Sequence, residues 1–437
     1  MVVIPSLAIL AALSISRYAR AASSDGNSDN GFSRITKRIK NVVVLVEENR
    51  SFDNIAGGFT YSNDIDGLVD KTFCNPVNFT DPSLGNVCAT PTLANVDSDD
   101  PNHGVTGVNM ELFGTFHPTS SSVETMQGFL VTQQATFGTT NVSRASESIE
   151  FFDQKNIPVL QSLAENFVLF DKWFCAVPGP TDPNRAYITS GTSHGHGQND
   201  AAFSSSAIPV RSIFQQLSEK NVSWINYTPF PFFGDAMFYN WTVSSGADLT
   251  NLKLQTQFFE DAKAGTLPQF SYINPECCTN QSFHPPGSAT NGQIFVKSVY
   301  EALRASPQWE ETLFILTFDE HGGFADHVPP PENVPAGDSL LYTETALDGM
   351  PFTFDFTRLG VRVPTYLISP WVGKSVIEHE GKNSGKVYTH TSILAFLAKL
   401  WDLDTLTPRV GFSSTFEHLI LEETRDTITT LPTPFVF

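Results

Sequence analysis

The sequence predicts an α/β fold built on a mostly parallel sheet, and three observations point there. Val42–Val46 and Leu313–Phe318 are nearly continuous β-branched and aromatic runs. A strand apolar on both faces is covered on both faces, the habit of parallel sheets. Such runs alternate along the chain with helical patterns, as βαβ units do. With 437 residues, 41% hydrophobic and 36 Phe, there is ample material for a large core.

Taken in order, residues 1–16 are apolar and uncharged, and Ala19-Arg20-Ala21 follows with a small-x-small pattern. Residues 1–21 therefore read as a signal peptide, because the run is short of the roughly 20 residues a membrane span needs. Residues 22–35, rich in Ser, Asn, Asp and Gly, read as a flexible lead-in. Residues 36–437 contain no repeat and no linker, and read as one catalytic domain. Within it strands are predicted at 40–46, 167–170, 173–177, 222–227, 312–318 and 363–369, and helices at 157–167, 210–220, 292–305 and 390–401. Residues 60–110 read as an irregular excursion, and 228–250 as an aromatic loop.

Composition narrows the functional classes. A formal charge of −20 argues against nucleic acid as a partner, since phosphate backbones need a basic footprint. Asn-x-Ser/Thr acceptors at Asn78, Asn141, Asn221, Asn226, Asn240 and Asn280 fit a secreted chain carrying N-linked glycans. Of the five cysteines, Cys74 and Cys88 close a short loop and are the first expected disulfide. The adjacent Cys277 and Cys278 are expected to bridge elsewhere, and Cys175 falls in a buried strand, so one thiol is left over.

Polar clusters stand directly after predicted strands, where ligands gather in open α/β sheets. Glu47-Glu48-Asn49-Arg50-Ser51-Phe52-Asp53 follows the first strand, and Asp319-Glu320-His321-Gly322-Gly323 follows the run ending at Phe318. Facing carboxylates repel unless a cation lies between them, and oxygen donors with an Asn or His suit a divalent metal ion. Between them lies Pro178-Gly179-Pro180-Thr181-Asp182-Pro183-Asn184-Arg185, with Pro183 in the first turn of a helix. A helix start holds an anion, Arg185 can add a bidentate phosphate contact, and a metal can turn the Thr181 hydroxyl into a nucleophile. His103, His284 and His327 lie in loops that can reach such a cleft and donate a proton to a phosphate or a leaving oxygen. Gly191-Thr192-Ser193-His194-Gly195 matches the serine-hydrolase elbow, but a helix rather than a strand is predicted before it. A serine esterase using Ser193 and a non-catalytic surface glycoprotein are the rival readings.

KNVVVLVEENRSFDN at 40–54, DPNH at 100–103, TMQGF at 125–129, PGPTDPNR at 178–185, SGTSHGH at 190–196, HPPG at 284–287, SPQWEETLFILTFDEHGGFADHVPPP at 306–331, RVPTYLISPWV at 362–372 and THTSILAFL at 389–397 together make a specific ordered set. The chain resembles the phosphoesterase family, which holds phospholipases C and AcpA-type acid phosphatases, in the form of a fungal-type secreted member. The resemblance implies an alkaline-phosphatase-like, three-layer α/β/α fold. It implies Glu48, Asn49, Asp319 and Glu320 as metal ligands, with Thr181 as nucleophile and further ligand. His103, His284 and His327 would touch the phosphate or the leaving group. The implied activity is metal-dependent phosphoric ester hydrolysis: phospholipase C-like cleavage of phospholipid head groups, or alternatively phosphomonoester hydrolysis by an acid phosphatase. Membrane contact would be transient at most. Phe230, Phe232 and Phe233 read first as a packed loop and otherwise as a lipid-facing rim.

Overall fold

Val42–Val46 and the run ending at Phe318 lie side by side at the centre of an eight-stranded sheet. The computed structural model describes residues 28–92, 100–382, 385 and 387–437. The segment read as a signal peptide, 1–21, lies outside the described residues, as do 22–27 of the lead-in. The rest of the lead-in is not irregular: helix α1, Ser28–Arg38, runs through it. Phe32 packs on Phe396 with ring centroids 6.0 Å apart, and Ile35 and Ile39 are buried. Those apolar residues, a helical turn apart among polar neighbours, are what the composition concealed.

The sheet strands in chain order are β1 Asn41–Glu47, β2 Val168–Phe170, β3 Trp224–Thr228, β4 Leu252–Leu254, β5 Phe270–Ile273, β6 Thr312–Phe318, β7 Thr365–Ile368 and β8 Val376–Glu378. Across the sheet they run β8-β2-β7-β6-β1-β5-β3-β4. Every neighbouring pair is parallel except the two made by β7. β1 and β6 are buried at every position, as continuous apolar runs require.

The larger helices beside the sheet are α2 Pro158–Asn166, α3 Thr181–Ser190, α4 Ile213–Glu219, α5 Gln255–Ala264, α6 Ala289–Ala305 and α7 Thr391–Trp401. They form two sets. α1, α3, α4 and α7 pack in succession, and α2, α5 and α6 do likewise, which matches the expected three-layer α/β/α arrangement.

Several expectations are corrected. Residues 173–177 do not form a sheet strand: only Trp173–Phe174 is extended, paired with Tyr388–Thr389 outside the main sheet. β4, β5 and β8 are three or four residues long and escaped detection. The expected Cys74–Cys88 disulfide is present, but Cys277 and Cys278 bond to each other rather than elsewhere, leaving Cys175 free and buried. Asn226 is no glycan acceptor. It is fully buried in β3, donating to Tyr272 O and Asn274 Oδ1 at 3.1 and 2.8 Å. Asn78, Asn141, Asn221, Asn240 and Asn280 are exposed.

Candidate active site

The register of β1 on β6 builds the first half of the site. Glu47 pairs with Phe318, so the next residues, Glu48 and Asp319, leave the sheet together. Asp319 N–H donates to Glu47 O at 2.9 Å, and Asn49 N–H donates to Asp319 Oδ1 at 3.2 Å. Asn49 sits at φ +61, a left-handed conformation that Asn tolerates better than most residues. Gly322 must be a glycine here. Its φ is +66, and a Cβ would lie 2.7 Å from Asn49 O, so any side chain would push the Asp319 loop off Asn49.

α3 supplies the second half. Thr181 is its first residue, and Asn184 ties down the Pro178–Pro180 turn that presents it. Asn184 Oδ1 accepts from Val177 N–H at 2.9 Å, while Nδ2 faces the carbonyls of Val177, Gly179 and Pro180 at 3.0, 2.9 and 3.1 Å. One turn on, Arg185 reaches under the sheet ends. Its Nε donates to Asp319 Oδ2 at 2.9 Å, its Nη2 to Glu48 Oε1 and Val46 O at 3.1 Å each, and its Nη1 lies 3.6 Å from Asp235 Oδ2. The guanidinium fork that sequence reasoning assigned to phosphate is therefore committed to carboxylates, with Nη1 the least engaged nitrogen. Burial opposes its charge, but Asp319, Asp235 and Glu48 hold its pKa well above the usual arginine value.

Thr181, Glu48 and Arg185 line one pocket of about 240 Å³, together with Asp182, Asp235 and Asn274 and with aromatic walls from Phe203, Phe232, Phe233 and Phe238. Asp235 is fixed by Tyr272 Oη at 2.6 Å and Asn274 Nδ2 at 2.7 Å. Burial, with Asp235 adding to it and Arg185 opposing, raises the Asp182 carboxyl to about 7. Sequence reasoning missed Asp235 and Asn274. Asn274 directly follows β5, so recognising that short strand would have exposed it.

His103, His284 and Glu320 gather on the Asn49 side. His103 Nδ1 lies 2.7 Å from Pro101 O, and its Nε2 lies 3.8 Å from Glu320 Oε1. His284 Nε2 stands 3.7 Å from Asp100 Oδ2, and the two imidazoles meet edge to face at 6.5 Å. Asp100 also accepts from Asn49 Nδ2 at 3.0 Å. Burial disfavours the His103 cation, but Glu320 and Asp100 outweigh it and raise the pKa to about 9. Behind the site His390 braces Asp319: Nε2–H donates to Asp319 O at 2.5 Å while Nδ1 accepts from the Trp173 indole at 3.3 Å. Burial lowers its pKa to about 4, which keeps the ring neutral and suited to both roles.

The donor set fits a divalent cation. Glu48 Oε2, Asn49 Oδ1 and Glu320 Oε1 are buried acceptors with no hydrogen-bond partner among the described residues, as are both Glu47 carboxylate oxygens. Burial raises the Glu48 carboxyl to about 8 against the pull of Arg185, and pushes Glu320 well above its ordinary range against His103. Unpaired buried oxygens of this kind call for a cation or for protons. Two other close groupings of His, Cys and carboxylate side chains are Asp53–Asp326–His327 and Cys277–Cys278–His284, and the cysteines of the latter are bonded to each other. The expected set instead draws donors from an amide, Asn49, and a hydroxyl, Thr181. At Asp53–Asp326, Arg362 already pairs both carboxylates, at 2.9 and 2.8 Å.

That second cluster claims His327, which the structure does not bring to Thr181. Its Nδ1 lies 2.7 Å from Asp53 Oδ2 and its Nε2 3.2 Å from Asp66 Oδ1, so it ties the exit loop of β6 to the segment around Asp66. Burial lowers its pKa, but bonds to Asp53 and Asp66 win and lift it to about 9. Ser193 follows the C-terminal cap of α3 at Gly191 and is completely buried, so no strand–Ser–helix elbow exists there.

Comparison with known proteins places the chain in a family. Residues 39–404 match the model of the phosphoesterase family. The chain is 38% identical over 397 residues to non-specific phospholipase C1 of Arabidopsis thaliana, covering 88% of this chain and 71% of the relative. It is 26% identical to a non-hemolytic phospholipase C of Burkholderia pseudomallei, covering 82% of this chain and 54% of that protein. Among solved structures, a protein in the alkaline phosphatase superfamily from Vibrio parahaemolyticus aligns at 11% identity and a TM-score of 0.36, over 85% of this chain and 69% of that one.

Proposed function

This chain belongs to the phosphoesterase family and is a phosphoric ester hydrolase, and from that premise we propose that it is a secreted, metal-dependent phospholipase C acting on phosphodiesters of phospholipids. The observation that carries the reading is the placement of Thr181, which opens α3 inside the pocket that also holds Glu48 and Arg185. Glu48, Asn49, Thr181, Asp319 and Glu320 would hold the cation, which when bound supplies positive charge that lowers the pKa of a neighbouring hydroxyl.

The chain's own residues do the rest. The Thr181 oxygen, its proton lost to solvent, would attack phosphorus in line as the bond to the glycerol oxygen breaks, giving a threonine ester of the head-group phosphate that water later hydrolyses. The α3 N-terminus and Arg185 Nη1 stabilise the charge gathering on the phosphoryl oxygens. His103, whose Nδ1 faces Pro101 O, would present Nε2 to carry a proton for the leaving glycerol oxygen. The aromatic pocket walls favour a diester with an apolar leaving group over a small monoester. The exposed glycan acceptors and the Cys74–Cys88 disulfide support export.

Thr181→Ala tests the mechanism. The hydroxyl has no hydrogen-bond partner among the described residues, so the fold should keep its stability within about 0.5 kcal/mol. Turnover of phosphatidylcholine should fall at least about 10³-fold, as when a nucleophile is removed. Unchanged turnover discards the mechanism, and faster cleavage of a simple phosphomonoester than of phosphatidylcholine reassigns the substrate.

A further inference from the structure

We propose that the Phe230–Phe233 turn and the groove beside it form a seat for the acyl layer of a zwitterionic phospholipid surface, delivering the head group to Thr181. The inference rests on the phospholipase reading and goes beyond it to the surface that meets the lipid.

The turn exposes its apolar side chains: Phe230 is 55%, Phe232 61% and Phe233 46% accessible. It is braced rather than loose. Thr228 Oγ1 donates to Phe230 O at 2.7 Å, and a Cβ at Gly234 would meet Thr228 Cγ2 at 2.5 Å, so the chain packs tightly just behind the rings. Phe232 holds φ +56, a costly conformation for a bulky residue, and with it the ring stays outward. The rings of Phe230 and Phe233 stand edge to face at 6.2 Å.

Phe232 is a shared wall. On one side it lines the pocket holding Thr181; on the other it lines a groove of about 170 Å³ with Pro231, Leu249, Leu252 and Leu254. Leu249 is 69% and Leu254 42% exposed, so apolar side chains continue from the Phe232 wall to open solvent. Apolar surface of this extent on a braced turn gains free energy when an acyl layer covers it. Charge selects the kind of layer. The groove's only charged residues are Asp248 and Lys253, which offset one another, while the whole chain carries −20. An anionic surface is repelled and a zwitterionic one is accepted.

The test uses the full chain and vesicles of pure phosphatidylcholine. Phe230→Ser combined with Leu249→Ser changes no residue that lines the Thr181 pocket. Co-sedimentation with vesicles should weaken at least about 10-fold, and hydrolysis of vesicular lipid should fall in step. Hydrolysis of a soluble aryl phosphocholine should stay within twofold, which also certifies the fold. Each single variant should give an intermediate loss. Wild-type sedimentation by the double variant overturns the proposal, as does absence of vesicle binding by the unsubstituted chain. So does a concentration-dependent dimer that the double variant abolishes while vesicle binding persists, because the surface would then join two copies. Failure of the unsubstituted chain to cleave monomerically dispersed phosphatidylcholine sinks the phospholipase reading instead, whatever the vesicles show.

Discussion

Asn184 offers a sharp test of how Thr181 is held. Its amide faces one N–H with its oxygen and three carbonyls with its nitrogen, so the orientation follows from the partners alone. Two N–H groups serve three carbonyls, so one bond is shared. Asn184→Ala removes this knot and leaves Val177 N–H and the carbonyls without it in a fully buried place. At about 1 kcal/mol net for each of three bonds, the loss is about 3 kcal/mol. Asn184→Asp is nearly isosteric but turns the donor end into lone pairs facing carbonyl oxygens. At neutral pH it should cost about 1–3 kcal/mol more than alanine, because a buried carboxylate there has no cation. The excess should shrink on acidification, since the introduced carboxyl, once protonated, can donate one hydrogen bond. Both substitutions let the Pro178–Pro180 turn relax. A shift of the Thr181 oxygen by about 1 Å should lower kcat on the order of 10²-fold. Urea denaturation midpoints and soluble-substrate kinetics at pH 5 and 7.5 read all of this. Greater stability of Asn184→Asp than of Asn184→Ala at pH 7.5 would refute the reasoning.

Arg185→Lys keeps a charge but loses the fork that joins Asp319 to Glu48, so kcat/KM on a soluble diester should drop about 10²-fold while the protein still folds. His327 is raised to about 9 when folded against an ordinary value of 6.5. Its stabilisation of about 2–3 kcal/mol is therefore fully present below pH 6.5 and lost as pH rises through 9, with Lys71 Nζ, 2.9 Å from Nε2, working against it. Melting curves of His327→Gln should show a smaller loss of stability over that window than the unsubstituted chain. Stripping divalent ions with a chelator should abolish turnover. Returning them at pH 7 should release at least about one proton per site, because burial raises both Glu48, to about 8, and Glu320; calorimetry in two buffers of different ionisation enthalpy measures it.

Sequence reasoning reached the site where continuous strands announce their own ends. β1 and β6 carry nearly continuous apolar runs, so the polar residues that follow, Glu47, Glu48 and Asn49 after one and Asp319 and Glu320 after the other, stood out. Thr181 was legible from the prolines that bound a helix start. Asn274 was not, because β5 is four residues with a serine inside and its burial comes from neighbours, and Asp235 was not, because it lies past β3 in a segment that reads as a loop. His327 was misplaced for the opposite reason. Its spacing from Asp319 suggested a shared loop, and nothing local revealed that Asp53, Asp66 and Arg362 converge on it from three other segments.

The same geometry explains why the acids stand together at all. Parallel strands in register deliver consecutive residues to one edge, so Glu48 and Asp319 are neighbours by construction once β1 and β6 pair. Four buried carboxylic groups, Glu47, Glu48, Asp319 and Glu320, follow the two strands, and Arg185 is the one arginine or lysine paired with them among the described residues, with His103 and His321 3.8 and 3.7 Å from Glu320. Like charges so placed are not all ionised without a further cation. A fold that merely needed stability would do better with apolar residues at these positions. Glu48 lines the aromatic-walled pocket beside Thr181 while Glu47, Asp319 and Glu320 are buried, so charge concentrated at this sheet edge marks a candidate functional site better than it serves packing.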